Sequence, residues 1–410
     1  MKRDFDVVVV GGAMAGAGAA ALLAADARTA GMRVALLEPK PAAAPAPQEP
    51  LDLRVSALSR ASQLLLVKAG AWPAVQARGA AAYQRMLIWE SRGEPGSREA
   101  LVFDAAELGE PDLGCIAENR AVQAALTESA IARGVVQLKT GLASMAAADS
   151  IRVATADGRE YRAALVVGAD GAESAVRAQA GIDARVSDYG QRAVVAHLAC
   201  ERPHGDTAWQ RFLDTGPLAL LPLGDGRVSL VWSTTPEMAE ELMRCDDSQF
   251  SERVTAASAA VLGRLEPTTP RASFPLRLVH AHRYAGARVA LVGDAAHTVH
   301  PLAGQGINLA FLDVAALADV LGDALAAGDD PGEPRALRRY ERWRKAEALP
   351  AILMLDGLKR LFFGGDPFRS RLRRGGLGLV QAARPLKCIL MQRALGIAGE
   401  VPVSVQRPPS

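Results

Sequence analysis

The amino-terminal stretch leaves this chain little freedom. A β-branched run, Val7-Val8-Val9-Val10, passes directly into Gly11-Gly12-Ala13-Met14-Ala15-Gly16, then into an alanine- and leucine-rich segment, then into Val34-Ala35-Leu36-Leu37-Glu38. Apolar runs of strand length on either side of a small-residue segment of helix length read as a strand over 5–10, a helix over 14–27 and a strand over 33–37, which is a βαβ unit. Gly11 permits the sharp exit from the first strand, and Gly16 lets the helix lie close to the sheet. The same stretch could be taken for a signal peptide or a membrane span, but Asp4 and Asp6 spoil the positive flank and the glycines break the apolar run. No other continuous apolar run approaches the ~20 residues of a spanning helix, so any membrane contact is expected to be peripheral.

Composition narrows the function classes. With 410 residues, 50% hydrophobic and 22% charged, the chain can bury one large core or two fused ones. A net charge of +2 and 5% aromatic residues supply neither the field nor the stacking platform of a nucleic-acid binder. Cys115, Cys200, Cys245 and Cys388 are scattered and match neither a zinc spacing nor a compact disulfide framework, so no metal is expected and a reducing, cytoplasmic setting is.

Further along, prolines at 39, 41, 45, 47 and 50 make residues 39–50 a loop, expected to carry no chemistry. Helical periodicity is expected over 52–72 and over 119–132. Two β-rich runs around Asp157-Gly158 form a hairpin leading into Gly168-Ala169-Asp170-Gly171. Residues 183–284 then alternate strand-like runs with one helical stretch at 237–265, a short strand returns at 288–292, and helices are expected at 306–325 and through 335–399. The expected division is a cofactor domain in two parts, 1–182 and 285–334, with 73–112 contributing to the substrate side. A sheet-rich substrate domain, 183–284, is inserted between them, and a helical region, 335–410, follows. The fold class is α/β, α+β overall, with a Rossmann-like nucleotide domain.

The glycine motif at the first turn offers a helix N-terminus to a pyrophosphate, and Glu38, at the end of the second strand, is placed to accept ribose hydroxyls. A carboxylate there favours a dinucleotide without a 2′-phosphate. Ala13 stands where such turns usually have their middle glycine. Asp170, followed by Ser174 and Arg177, puts a carboxylate and a glycine turn at a strand end. Gly293-Asp294 does the same after Val289-Ala290-Leu291-Val292, and His300-Pro301-Leu302-Ala303-Gly304-Gln305-Gly306-Ile307-Asn308 follows. Pro301 would stiffen that approach, Gly304 and Gly306 would let backbone pass close to a flat ring, and the helix beginning near Gly306 would aim its N-terminus at it. Each piece alone also fits an ordinary loop. In this order they point to bound FAD.

The segment from His300 through Asp313 resembles the signature of the ubiquinone-biosynthesis aromatic hydroxylases, flavoprotein monooxygenases of the UbiH/UbiF/UbiI type. The resemblance runs essentially end to end, through Asp52-Leu53-Arg54-Val55-Ser56-Ala57-Leu58, Leu113 to Asn119, Gly168 to Arg177, Arg211-Phe212 with Gly216 to Leu223, and Gly293-Asp294-Ala295-Ala296-His297. It departs at Ala13 and at Ala310, where the family usually shows glycine. The resemblance implies a para-hydroxybenzoate-hydroxylase-like fold, non-covalent FAD reduced by NAD(P)H, and transfer of one oxygen of O2 to an electron-rich ring as a flavin C4a-hydroperoxide. It also implies that Arg54 and Asn119 contact the ribityl or phosphate region and that Asp170 serves the cofactor. By the motifs and the resemblance together, the cofactor set comprises Gly11, Gly12, Ala13, Gly16, Glu38, Arg54, Asn119, Asp170, Gly293, Asp294, Pro301, Gly304, Gln305, Gly306 and Asn308.

Such chemistry asks little acid–base work of the protein. No catalytic side chain stands out, with His300 a weak candidate for phenol deprotonation. The uncharged stretch Gly216 to Leu223 suits a ring carrying a polyprenyl tail, and Phe212, Leu221, Leu223 and Trp232 are the substrate candidates; a plain core strand would look the same. Basic residues between 355 and 400 (Lys359, Arg360, Arg369, Arg371, Arg373, Arg374, Arg384, Lys387, Arg393), interleaved with apolar ones, fit either a surface that docks on the inner membrane or on other ubiquinone-biosynthesis proteins, or an ordinary solvated face. Two other functions stay open: a same-fold prenyl reductase or dehydrogenase that uses no O2, and a non-catalytic nucleotide-fold binder.

Overall fold

A computed structural model describes residues 3–46, 48–299, 305–362 and 367–406, and side chains within them except at 305, 351–356 and 358–374. His300, Pro301 and Gly304 lie outside the described residues, as does the side chain of Gln305.

Among the described residues an eight-stranded sheet carries the βαβ unit. Phe5–Val10 lies between Val34–Leu37 and Glu160–Gly168, parallel to both, and Val289–Leu291 extends the parallel set beyond Glu160–Gly168. The Asp157-Gly158 hairpin joins Ile151–Thr155 to Glu160–Gly168 in antiparallel register. Helix Met14–Ala25 is apolar all round and correspondingly buried, packing against Asn119–Ala132 and Gln305–Ala326. Gly16 lets this helix close onto the turn before it, and Gly18 lets Gln305–Ala326 approach it. A Cβ at Gly16 would fall 1.8 Å from the Gly11 carbonyl oxygen, and one at Gly18 would fall 3.1 Å from the Phe311 ring.

The second large sheet has nine strands among the described residues. Its order runs His297–Thr298, Ala272–Ala281, Ala184–Cys200, Val228–Thr234, Gly216–Pro222, Thr207–Leu213, Arg85–Glu90 and Leu101–Asp104, with Leu265–Pro267 paired to Ala184–Cys200 off this path. One of its faces packs under Pro236–Arg244 and Asp247–Ala257, burying Leu218, Leu220, Leu230 and Trp232 with Phe250. The other faces the nucleotide side.

Two local expectations fail. Residues 55–58 are a strand, not helix, because Val55–Leu58 pairs with Gly114–Glu118 (Val55↔Glu118, Leu58↔Cys115). The helix begins only at Arg60, where the Ser59 hydroxyl accepts from the Ser62 amide. The stretch 237–265 is two helices, because Asp246 caps a new one through the Gln249 amide, and Leu265 opens a strand.

Candidate active site

A cavity of about 850 Å³ opens where the parallel strands end and the nine-stranded sheet begins. Ligands of open α/β sheets sit at such carboxyl-end crevices. The separated motifs converge on it: Gly11 and Ala13, Glu38, Asp170, Asp294 and Gly306 all line it, together with Arg54 and Asn119.

At the first turn, Gly11 has φ +96°, and a Cβ there would lie 2.5 Å from the Ala169 carbonyl oxygen, so only glycine fits. Ala13 occupies an ordinary extended conformation (φ −66°), which explains how the chain tolerates a methyl at the motif's middle position. Ala13 caps its helix with no side-chain hydrogen bond, leaving first-turn N–H groups available at the cavity wall. The Gly12 amide donates to Glu38 Oε2 at 2.7 Å, and Gln123 Nε2 donates to the Gly12 carbonyl at 2.8 Å, so neighbouring elements fix the turn.

The remaining carboxylates differ in what they are free to do. Asp170 accepts from Ser174 Oγ at 2.5 Å and from the Val176 amide at 3.0 Å, so much of its capacity goes to holding its own turn. Asp294 is open to the cavity yet crowded by protein. Burial raises its pKa above the usual carboxylate value, against the pull of His297 and Arg54. Behind it, the Asp313 carboxylate accepts from the Gly293 amide (3.0 Å) and from Arg344 Nε (2.7 Å), and pairs with His297 Nε2 (2.6 Å). That cluster is wholly buried and fixes the turn that presents Asp294. Sequence reading did not join these residues: Asp313 entered it as the end of the family signature and His297 as a neighbour of Asp294, with nothing linking either to Arg344.

Several expected residues do not reach the cavity wall. Gly12, Gly16 and Gly293 act through backbone packing: a Cβ on Gly293 (φ +59°) would press Ala15 and Ala310 at 3.1 Å. The Asn308 side chain is committed within the protein, donating to the Ala57 carbonyl (2.9 Å) and accepting from the Ser59 amide (2.9 Å) and Ser62 hydroxyl (2.7 Å). Of the substrate candidates only Leu221 lines the cavity. Phe212, Leu223 and Trp232 are core residues in three separate clusters. Strand alternation explains the sorting: along Gly216–Pro222, Leu218 and Leu220 turn to the core while Ala219 and Leu221 turn to the cavity. Alternation also exposes wall residues the sequence reading missed, among them Val195, Gln210, Ser229 and Val231. Pro39 lines the cavity as well, so the proline-rich segment does border the site.

The residues present fit a bound dinucleotide. Asn119 Oδ1, at the cavity wall, is buried without a hydrogen-bond partner, an arrangement that is costly unless a ligand completes it. Crevice, glycine turn, uncapped helix and a carboxylate at the end of the second strand together define a dinucleotide-binding protein of the open α/β type.

Comparison with known proteins agrees. Residues 4–352 match the FAD binding domain family. The chain is 38% identical over 405 residues to 3-demethoxyubiquinol 3-hydroxylase of Escherichia coli, covering 97% of this chain and 100% of that one. It is 36% identical over 431 residues to the human mitochondrial ubiquinone biosynthesis monooxygenase COQ6, covering 93% and 91%. p-Nitrophenol 4-monooxygenase PnpA of Pseudomonas putida shares the fold, with a TM-score of 0.74 at 18% identity over 97% of this chain and 100% of that one. The chain belongs to the FAD-dependent hydroxylases of ubiquinone biosynthesis.

Proposed function

We propose that this protein is an FAD-dependent monooxygenase that hydroxylates the ring of a polyprenylated phenol or benzoquinol in ubiquinone biosynthesis, with NAD(P)H as reductant. The observation that carries this is one cavity whose one wall is a dinucleotide cradle and whose other is a largely apolar sheet face. In this reading 1–182 and 285–334 carry the cofactor, 183–284 with 73–112 the substrate, and 335–410 the helical cover.

Gly11, Ala13 and the helix behind them would hold the pyrophosphate, Glu38 the adenosine ribose, Arg54, Asn119, Asp170 and Asp294 the middle of the cofactor, and Gly306 the ring. Bound FAD supplies the redox chemistry and O2 activation. The protein's own part is placement and dryness. Val195, Val231, Ala219, Leu221 and Phe274 make a wall that excludes water and accepts a flat ring with an apolar tail. Among the described residues no arginine lines that wall, so a small aromatic carboxylate has no fixed cation there. Incubating the holoenzyme with substrate, NAD(P)H and ¹⁸O2 should place one labelled oxygen on the ring. Substrate reduction without O2 uptake would favour the reductase reading instead.

A lipid substrate favours peripheral attachment. No helix among the described residues is long and apolar enough to cross a membrane. The described C-terminal helices do expose Leu379 (68%), near the end of Pro367–Ala382, and Ile389 (51%), on the next helix, Arg384–Ala394, which carries Arg384 and Arg393. Flotation with phosphatidylglycerol vesicles should be lost on L379E/I389E; unchanged flotation, or none in the parent, removes this idea.

A further inference from the structure

The substrate-side wall contains buried polar groups with nothing to bond among the described residues. Ser229 is 1% exposed and His197 0%, and neither Ser229 Oγ nor either His197 ring nitrogen has a hydrogen-bond partner there. Unpaired buried polar atoms are uncommon and costly, so three of them at adjacent positions call for an explanation. They are adjacent because Ala184–Cys200 and Val228–Thr234 pair antiparallel with His197 directly opposite Ser229. Directly paired residues share a face with Cβ atoms about 4.5–5.5 Å apart.

That face is the cavity's. Ser229 lines it, as do Leu221, paired to Ser229 on the next strand, and Val195, two residues before His197. Ser229 thus borders the cavity on one side and, across the strand pair, His197 on the other. Gln210, 4% exposed and also lining the cavity, adds a second polar tip farther along the same wall. The rest of the wall nearby is Val195, Val231, Ala219 and Leu221. Burial favours the neutral imidazole and holds its pKa below the ordinary value; Arg227 pushes the same way, and Asp225 and Asp52 oppose. A neutral imidazole offers one donor and one acceptor, so it can orient a serine hydroxyl in either sense.

Building on the proposed function, we propose that Ser229 is the hydrogen-bonding anchor for a ring hydroxyl of the substrate and that His197 is the positioning residue that orients the Ser229 hydroxyl. The unpaired atoms are then the unfilled half of a recognition site. A site built to bond a hydroxyl discriminates strongly against an analogue that lacks it.

The test compares 2-prenylphenol with 2-prenylanisole, whose oxygen can no longer donate. Binding to the oxidised FAD-loaded enzyme is read from perturbation of the flavin visible spectrum. The parent should bind the phenol more tightly. S229A should weaken phenol binding by about 10- to 100-fold and leave the anisole within about 3-fold, with FAD content kept and thermal stability not lowered. H197L should do the same, whereas H197Q, which still bonds, should recover most of the preference. Should H197L fail to accumulate, the S229A comparison decides. Equal losses for both ligands, or no loss for either, would overturn the assignment while leaving the enzyme reading standing. Failure of the parent to bind either ligand would contradict the substrate reading itself, and the anchor with it.

Discussion

The Gly12 amide and the Glu38 carboxylate meet at 2.7 Å, across the turn between the first strand and its helix. The contact is close enough that a Cβ on Gly12 would fall 2.7 Å from the Glu38 Cβ. Glu38 thus fixes the glycine turn and, from the same position, lines the cavity at the place the proposed function gives to the adenosine ribose. E38A should keep the fold and weaken FAD binding by about 10- to 100-fold, since a charged acceptor is worth about 1.5–3 kcal/mol. Fluorescence titration of apoprotein with FAD measures this.

Gly16 makes a harder demand. Its missing side chain is what lets the helix approach the Gly11 carbonyl. A Cβ there would sit 1.8 Å from that oxygen, an overlap that no rotamer change can absorb. G16A should therefore yield protein without flavin, or little soluble protein. Absorbance of the purified variant in the flavin bands reports the outcome.

Asn308 should prove a stability residue more than a binding one. Its carboxamide joins the start of the long helix to the strand Val55–Leu58 and to the cap of the next helix. N308L leaves the Ser59 amide and Ala57 carbonyl without that partner, and unsatisfied buried groups cost about 1–3 kcal/mol each. Urea unfolding should show a midpoint shift corresponding to at least about 2 kcal/mol.

Asp313 ties stability to acid pH. Burial alone would raise its pKa, but His297 and Arg344 outweigh that and hold it below the usual carboxylate value. A carboxylate whose folded pKa lies below its unfolded one contributes stability that is complete above about pH 4 and is lost as pH falls through the folded value. D313N should flatten that acid limb. At neutral pH it should cost about 3–5 kcal/mol, because it strands the buried Arg344. Thermal melts from neutral pH down to about pH 3 would show both effects.

What the sequence disclosed followed from local chemistry. The first strand and the helix at 119–132 fell where periodicity put them, and the glycine turns converge as expected because glycine marks backbone that must bend or come close. Residues 55–58 were misread because Val55, Ala57 and Leu58 are apolar in either structure, and only the distant partner Gly114–Glu118 selects a strand. The substrate wall failed for a related reason. Along Gly216–Pro222 both faces are apolar, so no alternation in the sequence separates Leu221, which reaches the cavity, from Leu220, which does not. His197 and Ser229 lie far apart in the chain, and only strand register makes them neighbours. The Asn308 side chain was assigned to the cofactor by its motif, whereas long-range hydrogen bonds commit it to the strand and cap beside it.

The most direct test is the flavin content of the purified protein, measured by visible absorbance and by release of the cofactor on denaturation. About one non-covalent FAD per chain, lost in G16A and weakened in E38A, is the predicted result. A colourless protein that takes up no FAD on titration would contradict the account at its centre.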